Sequence, residues 1–232
     1  MASDTGYVAP PDLGSAERRG QSLLLGGHAV PGAMVQFASP DGFHAEAAAD
    51  AQGRWSVAVP APSAAPAMYA LSARIGERVV RGEGALLALP APGPPAMLAR
   101  AGFAALPLGG PSPGLRIMAL DYDAGGGAAV AGIGPARARV RLSIDGMQAG
   151  LDQADAQGRF AVLGANAPLE NGNRRLKVEI EGGQTEVDAA VTHPAPLGGK
   201  AFRAVRQAGG WRVDWARSGG GVQTTLVFDT AP

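Results

Sequence analysis

Nearly the same six residues occur twice in this chain, as DAQGRW at Asp50–Trp55 and as DAQGRF at Asp155–Phe160. The two segments lie 105 positions apart, and the same offset aligns Leu71 with Leu176 in the apolar stretches that follow. Self-similarity at one fixed offset is typical of a repeated structural unit. The sequence therefore predicts a tandem duplication in which each copy folds into the same module.

Each repeated segment has the composition of a tight turn followed by a strand. An aspartate that begins a turn accepts hydrogen bonds from neighbouring backbone N–H groups, and a glycine at the fourth position adopts a positive φ without strain. The aromatic residue that follows is then the first inward side chain of the next strand. The predicted turn and core positions are Asp50, Gly53 and Trp55 in the first copy and Asp155, Gly158 and Phe160 in the second.

Calcium binding is the alternative interpretation of the acidic residues near the second turn. Asp152, Asp155 and the DYD segment at 121–123 place several carboxylates in this part of the sequence. A calcium loop needs about six oxygen ligands at set spacing, and the sequence contains no such run. The turn interpretation is preferred, and no metal site is predicted.

Apolar and polar residues alternate on both sides of the repeated turns, as they do in strands with one buried face. The segment RWSVAVP places Trp55, Val57 and Val59 on one face, and RRLKVEIEGG does the same with Leu176 and Val178. The 35 glycines and 19 prolines disfavour long helices and favour turns. We therefore predict an all-β fold with two tandem β-sandwiches.

The same patterns divide the chain into five segments. Residues 1–20 are expected to form a disordered N-terminal arm, 21–90 the first sandwich and 91–114 a Pro-rich connector. Residues 115–196 form the second sandwich, and 197–232 hold three short strands joined by glycine-rich turns. This C-terminal β-meander either completes the second sandwich or forms a small separate sheet.

Several short motifs of the first copy occur together in one known kind of repeat. They are G-x-x-x-P-G-A-x-V at Gly27–Val35, the following DG turn, DAQGRWSV, and Y-x-L-S-A at Tyr69–Ala73. In these motifs the chain resembles bacterial Ig-like (Big-type) repeat domains of cell-envelope and surface proteins, over about residues 21–90 and more loosely over 115–194. The resemblance implies Greek-key Ig-like sandwiches that serve mostly as spacers, adhesive stalks or assembly modules.

Residue types that carry catalysis are sparse in this sequence. Cysteine is absent, which excludes disulfides, thiol nucleophiles and Cys-based zinc sites. His28, His44 and His193 have no metal-binding spacing, and no S-x-x-K pair occurs. The spelling G-x-S-x-G occurs once, as GPSPG at 110–114, but the prolines on both sides of its serine do not suit the strand-to-helix turn that presents a serine nucleophile. No catalytic residue and no cofactor is predicted. A β-sandwich hydrolase is kept as a second alternative because one sequence does not exclude a pair of carboxylates.

The C-terminal meander combines tryptophan with arginine, and this combination suits a binding surface. Tryptophan rings stack on sugars or on cations, and guanidinium groups bind carboxylates. The opposing interpretation is that the tryptophans belong to the core and the basic residues to the solvated face. The candidate ligand-binding residues are Trp211, Trp215, Arg203, Arg206 and Arg212.

Charge and hydropathy limit the partners that the chain is expected to have. The formal net charge is zero, so no field favours nucleic acid. The most apolar stretch, Gly84–Gly110, is broken by prolines, so no transmembrane segment is predicted. With the resemblance, these features predict a non-enzymatic structural or binding module in the periplasm or at the cell surface, with cytoplasmic location as the alternative. Its expected partner is another envelope protein or, for a carbohydrate-binding or adhesion protein, a cell-surface glycan.

Overall fold

The chain folds entirely into β-structure. The computed structural model describes residues 8–109, 114–164 and 169–229, and the regular secondary structure in these ranges is all β-strand. The strands form antiparallel sheets that pack face to face around apolar cores. The predicted all-β sandwich class is therefore confirmed.

The first sandwich contains two sheets. Sheet 1 has the strand order β1-β2-β5, and sheet 2 has the order β4-β3-β6-β7-β8-β9. The placement of β3 and β4 opposite the β2–β5 pair is a Greek-key arrangement, as in Ig-like folds. The strands are β1 (Ser15–Arg19), β2 (Ser22–His28), β3 (Met34–Ala38), β4 (His44–Ala48), β5 (Arg54–Pro60), β6 (Ala67–Ile75), β7 (Arg78–Ala88), β8 (Ala96–Ala99) and β9 (Leu106–Pro107).

The second sandwich also contains two sheets. Sheet 3 has the order β14-β11-β10-β19-β18-β17, and sheet 4 has the order β13-β12-β15-β16. The C-terminal meander thus belongs to sheet 3, because β19 pairs with β10. The strands are β10 (Arg116–Asp123), β11 (Ala128–Ile133), β12 (Arg139–Ile144), β13 (Met147–Gln153), β14 (Arg159–Gly164), β15 (Gly172–Ile180), β16 (Gly183–Val191), β17 (Phe202–Gln207), β18 (Gly210–Ala216) and β19 (Val222–Phe228).

The seven strands β1–β7 correspond in order and pairing to β10–β16. The pairing of Gly27 with Trp55 in β2–β5 recurs 105 residues later as the pairing of Gly132 with Phe160 in β11–β14. One register differs between the copies. Val35 pairs with Ala73, but the equivalent of Ala73, Val178, pairs with Leu142 instead of Val140. A shift of two residues keeps every inward side chain on the core face.

The repeated DAQGR segments form two turns of the same geometry. The Oδ1 atom of Asp50 accepts backbone hydrogen bonds from Gln52 and Arg54 at 2.9 and 2.8 Å. The Oδ1 atom of Asp155 accepts the equivalent bonds from Gln157 and Arg159 at 2.8 and 2.9 Å. The fourth residue is a glycine with positive φ in both turns, 77° at Gly53 and 81° at Gly158.

The aromatic residue after each turn packs against a glycine on the neighbouring strand. Trp55 and Phe160 are buried, with 4% and 1% of their surface exposed. A Cβ atom placed on Gly27 would lie 2.7 Å from the Trp55 ring, and one on Gly132 would lie 2.4 Å from the Phe160 ring. These glycines are needed because the ring occupies the space that a side chain would fill.

The four sheets are stacked in numerical order, and each sandwich has its own core. Sheets 1 and 2 enclose a core around Leu25, Phe37 and Trp55, and sheets 3 and 4 enclose one around Leu142 and Phe160. A third apolar cluster, the inter-sandwich core, lies between sheets 2 and 3. Its buried members are Met68, Leu87, Leu89, Met97, Ala99 and Ala105 from the first sandwich and Met118, Ala119, Ile133, Val213, Trp215 and Val227 from the second.

Two predicted segments differ from the structure in the described residues. The predicted disordered arm, 1–20, contains β1, which pairs with β2 because Leu13 and Ala16 bury apolar side chains in the first core. The predicted connector, 91–114, contains β8 and β9, which extend sheet 2 beyond β7. Successive side chains of this segment point alternately into the first core, as Ala96 does, and into the inter-sandwich core, as Met97 does. The segment is apolar because both of its faces are buried. Residues 1–7 and 110–113 lie outside the described residues.

Replacing Arg137 by glycine is expected to stabilise the second sandwich. Arg137 has a φ of +61°, whereas the first copy has Gly32 with a φ of +76° at the equivalent position, 105 residues earlier. A side chain in this conformation costs up to about 1 kcal/mol. We expect Arg137→Gly to raise the urea midpoint of unfolding and Gly32→Arg to lower it. A lower midpoint for Arg137→Gly would contradict this interpretation.

Candidate functional site

The two tryptophans of the predicted binding surface face the first sandwich. Trp211, Val213 and Trp215 alternate along β18 on the side of the inter-sandwich core. Trp215 is only 5% exposed, and its indole N–H donates to Thr225 Oγ1 at 3.0 Å. Trp211 is half-buried, and the guanidinium carbon of Arg206 lies 5.5 Å from its ring centroid. Trp215 therefore has no open face on which a sugar could stack.

The arginines of that surface are divided between the two faces of sheet 3. Arg212 is buried on the face toward sheet 4, where its Nε atom donates to Asp214 Oδ1 at 2.9 Å. Arg203 binds the other oxygen of Asp214 at 2.6 Å. On the opposite face, Arg206 donates to both carboxylate oxygens of Asp229, at 2.9 and 2.6 Å. The structure thus brings Trp211 and Arg206 together and separates them from Arg203 and Arg212.

The inter-sandwich core surrounds a buried carboxylate that the sequence suggests only as part of the calcium-binding alternative. Asp121 on β10 is 2% exposed. Its Oδ1 atom accepts hydrogen bonds from Thr225 Oγ1 at 2.5 Å and from Gln223 Nε2 at 3.3 Å. Its Oδ2 atom accepts one from the backbone N–H of Ala105, in the first sandwich, at 2.6 Å. Burial nonetheless dominates and raises the pKa of Asp121 to about 6.

Gln223 on β19 completes the polar contact between the sandwiches. Its Oε1 atom accepts a hydrogen bond from the backbone N–H of Gly102 at 2.9 Å. Its Nε2 atom donates to the carbonyl oxygens of Arg100 and Phe103, both at 3.2 Å. One amide side chain therefore satisfies three backbone groups of the loop between β8 and β9. Polar groups buried with their partners fix a single geometry more strictly than apolar contact does.

The inter-sandwich contact opens into a groove of about 720 Å³ at one end. Met68, Ala85 and Ala99 line it from the first sandwich, and Trp215 lines it from the second. Arg81 and Glu83 contribute charged groups to the lining. The groove is mostly apolar, and it exposes part of the surface that the two sandwiches otherwise bury between them.

The histidines do not assemble a catalytic or metal-binding group in the described ranges. His28 Nδ1 lies 3.6 Å from Asp12 Oδ1, and both side chains are largely exposed. His44 and His193 are exposed and form no ion pair within the described ranges. No group of three His, Cys, Asp or Glu side chains in these ranges could hold a metal ion. The part of the chain that the structure describes contains no helix long and apolar enough to span a membrane.

Comparison with known proteins gives only distant structural likeness. No family model and no curated protein matches the chain. The BSP domain of a biofilm-associated protein is 14% identical, with a TM-score of 0.27 over 82% of this chain and 30% of that structure. The Yersinia pseudotuberculosis adhesin InvE is 11% identical, with a TM-score of 0.25 over 88% of this chain and 63% of that structure. The chain thus spans less than two thirds of each structure. Its function is therefore inferred from its own surfaces.

The pH dependence of stability is expected to report on Asp121. The pKa of Asp121 rises from 3.8 to about 6 on folding. Between pH 3.8 and about pH 6, the Asp121 carboxyl is therefore mostly protonated in the folded protein and mostly ionised in the unfolded chain. The resulting stabilisation is complete below the unfolded pKa and is lost as the pH rises through the folded one. From about pH 7.5 to about pH 5, the free energy of unfolding should rise by about 1 kcal/mol more in the wild type than in Asp121→Asn. Urea unfolding measures this difference, and equal pH profiles would exclude the effect.

Proposed function

We propose that the chain is a non-enzymatic structural and binding module of the bacterial cell envelope. Two Ig-like sandwiches hold interaction surfaces at a fixed spacing for another envelope protein. The inter-sandwich core is the observation that carries this proposal. Tandem domains joined by a flexible linker change their spacing freely, whereas a large apolar interface restricts that motion.

The fixed spacing is supported by two kinds of contact acting together. Met97 and Leu87 are fully buried between the sandwiches. Asp121 and Gln223 bond backbone groups of the other sandwich at 2.6 and 2.9 Å. Apolar burial provides the free energy, and the directional hydrogen bonds select one arrangement. A spacer or presentation module requires both.

The outer faces of sheets 1 and 4 are polar. Sheet 4 presents Arg139, Arg141 and Glu179 outward, and sheet 1 presents Glu17 and Ser56. In repeat proteins the terminal units need polar outer faces, because no further unit covers them. The polar outer faces of sheets 1 and 4 therefore suit contact with solvent or with a polar partner surface.

Envelope location is tested by thiol labelling in the source bacterium. The chain has no cysteine, so an exposed Ser56→Cys substitution introduces a unique reactive group. We expect a membrane-impermeant thiol reagent to label this variant in intact cells, or after osmotic release of the periplasm, and to leave the wild type unlabelled. Labelling that occurs only after cell lysis would contradict the proposed location.

A further inference from the structure

The strand β17 ends sheet 3 with an open backbone edge. Among the described residues it pairs only with β18. Three other edge strands, β14, β16 and β9, carry features that oppose strand addition. On β14 the backbone N–H of Ala161 donates to the Asp152 carboxylate at 2.8 Å, β16 exposes Glu186 and Asp188, and β9 contains Pro107. The outer edge of β17 has neither a proline nor a side-chain cap in the described ranges.

The hydrogen bonds of the hairpin show which residues of β17 point outward. The backbone N–H of Ala216 donates to the carbonyl oxygen of Ala201 at 3.0 Å, just before β17 begins. In an antiparallel pair, backbone groups alternate between the two sides of a strand. Odd-numbered residues of β17 therefore bond to β18. The N–H and C=O groups of Phe202, Ala204 and Arg206 point away from the sheet.

We propose that β17 pairs with β17 of a second copy of this chain, antiparallel and centred on Ala204. A twofold axis perpendicular to the sheet keeps each face on its own side, so opposed residues are both even-numbered or both odd-numbered. With Ala204 opposite its own copy, Phe202 lies opposite Arg206 of the second copy. All three outward residues then form bonded pairs, and the two copies of sheet 3 form one continuous twelve-stranded sheet.

The side chains of β17 suit this register. No arginine lies directly opposite another arginine, a placement that would be repulsive. Arg203 lies opposite Val205 of the second copy, and Val205 is 46% exposed in the single chain. Arg206, which already stacks on Trp211, gains the Phe202 ring of the second copy as a neighbour. An acidic strand of another protein is less suited to this edge, because Arg203 already binds Asp214 and Arg206 already binds Asp229.

This inference deepens the proposed function by naming the partner as a second copy. The contact involves one strand from each chain, which places it in the class of small, weak interfaces. Dimerisation is measured on purified protein, and envelope location is measured in cells. Failure of one is therefore distinguishable from failure of the other.

Sedimentation and cross-linking of the full chain test the proposal. The wild type should sediment as a monomer–dimer mixture over the micromolar to millimolar range. Bonded cross-strand pairs have Cα atoms about 5.5 Å apart, which a disulfide can bridge. Under mild oxidation, Ala204→Cys should form disulfide-linked dimers at least about tenfold faster than Ala190→Cys, an exposed alanine replaced on the β16 edge. A wild type that stays monomeric throughout, or equal cross-linking rates, would overturn the proposal.

Charge substitution at Val205 gives a second test that does not depend on cysteine chemistry. Val205 is exposed enough to accept a charge without loss of folding. Val205→Lys places a cation opposite Arg203 of the second copy and should weaken dimerisation about fivefold, whereas the uncharged, β-branched Val205→Thr should leave it within about twofold. A dimer whose dissociation constant is the same in both variants would show that another surface mediates it.

Discussion

Replacing Met97 by aspartate is expected to lower the free energy of unfolding by about 4 kcal/mol. Met97 lies on β8, is fully buried, and belongs to the inter-sandwich core. The substitution removes apolar packing and places a charge at a position that is fully buried. Because neither sandwich core includes Met97, each sandwich should keep its own fold.

Urea unfolding followed by circular dichroism measures this effect. The wild type should unfold in one transition, and Met97→Asp should unfold in two, because the sandwiches no longer stabilise each other. Met147→Asp is the matched control, since Met147 is 67% exposed, and its effect should stay within about 0.5 kcal/mol. A single transition for Met97→Asp, with the stability of the control, would show that the inter-sandwich core contributes little.

Alanine at either of two equivalent glycines should destabilise the protein by about 3 kcal/mol or more. A Cβ atom on Gly132 would lie 2.1 Å from the carbonyl oxygen of Arg116 and 2.4 Å from the Phe160 ring. A Cβ atom on Gly27 would lie 2.2 Å from the carbonyl oxygen of Asp12, and it would also meet Trp55. A backbone atom cannot rotate away, so the strands must separate. Similar losses at both positions are expected if the two copies are equivalent.

Gly127→Ala is the matched control for these substitutions. No atom lies within 4 Å of a Cβ placed on Gly127, and its φ is not in the left-handed region. Its thermal midpoint should therefore equal or exceed that of the wild type. The account of the repeat would fail if Gly132→Ala were as stable as Gly127→Ala.

The outer sheets follow from the sequence because their strands have one buried face. In β5 every second side chain is apolar and the DAQGR turn fixes where the strand begins, and in β15 Leu176, Val178 and Ile180 alternate with charged residues. Local turn chemistry and a two-residue period are enough to predict such strands. The register of the β3–β6 pairing differs by two residues from that of the β12–β15 pairing. This difference is not predictable in this way, because it leaves the apolar face unchanged.

The middle sheets are harder to predict from the sequence because both of their faces are buried. Strand β11 is buried at every position, and β19 at all but its first. Continuous apolar runs such as ALLAL at 85–89 were the available signal, since alternation disappears when a strand has no solvated face. The polar residues inside such runs, Asp121 and Gln223, mark the polar contact between the sandwiches.

The candidate binding residues show a different limit. Trp211 and Arg212 are adjacent in sequence and therefore lie on opposite faces of β18, as strand geometry requires. Proximity along a strand therefore does not place two residues on the same surface, and the alternation of faces alone separates Trp211 from Arg212. The pairing of β19 with β10 joins segments about a hundred residues apart. No local pattern encodes that contact, so the sequence alone leaves two interpretations of Trp215 open, a core residue or part of a binding surface.

The fixed arrangement of the two sandwiches is tested most directly by a distance measurement between spin labels. Ser56→Cys on sheet 1 and Gln184→Cys on sheet 4 are both exposed, and the chain has no other cysteine. Electron–electron double resonance in dilute solution should give one narrow distance distribution for this pair, and the added Met97→Asp substitution should broaden it. A broad or multi-peaked distribution in the protein with intact Met97 would contradict the fixed arrangement.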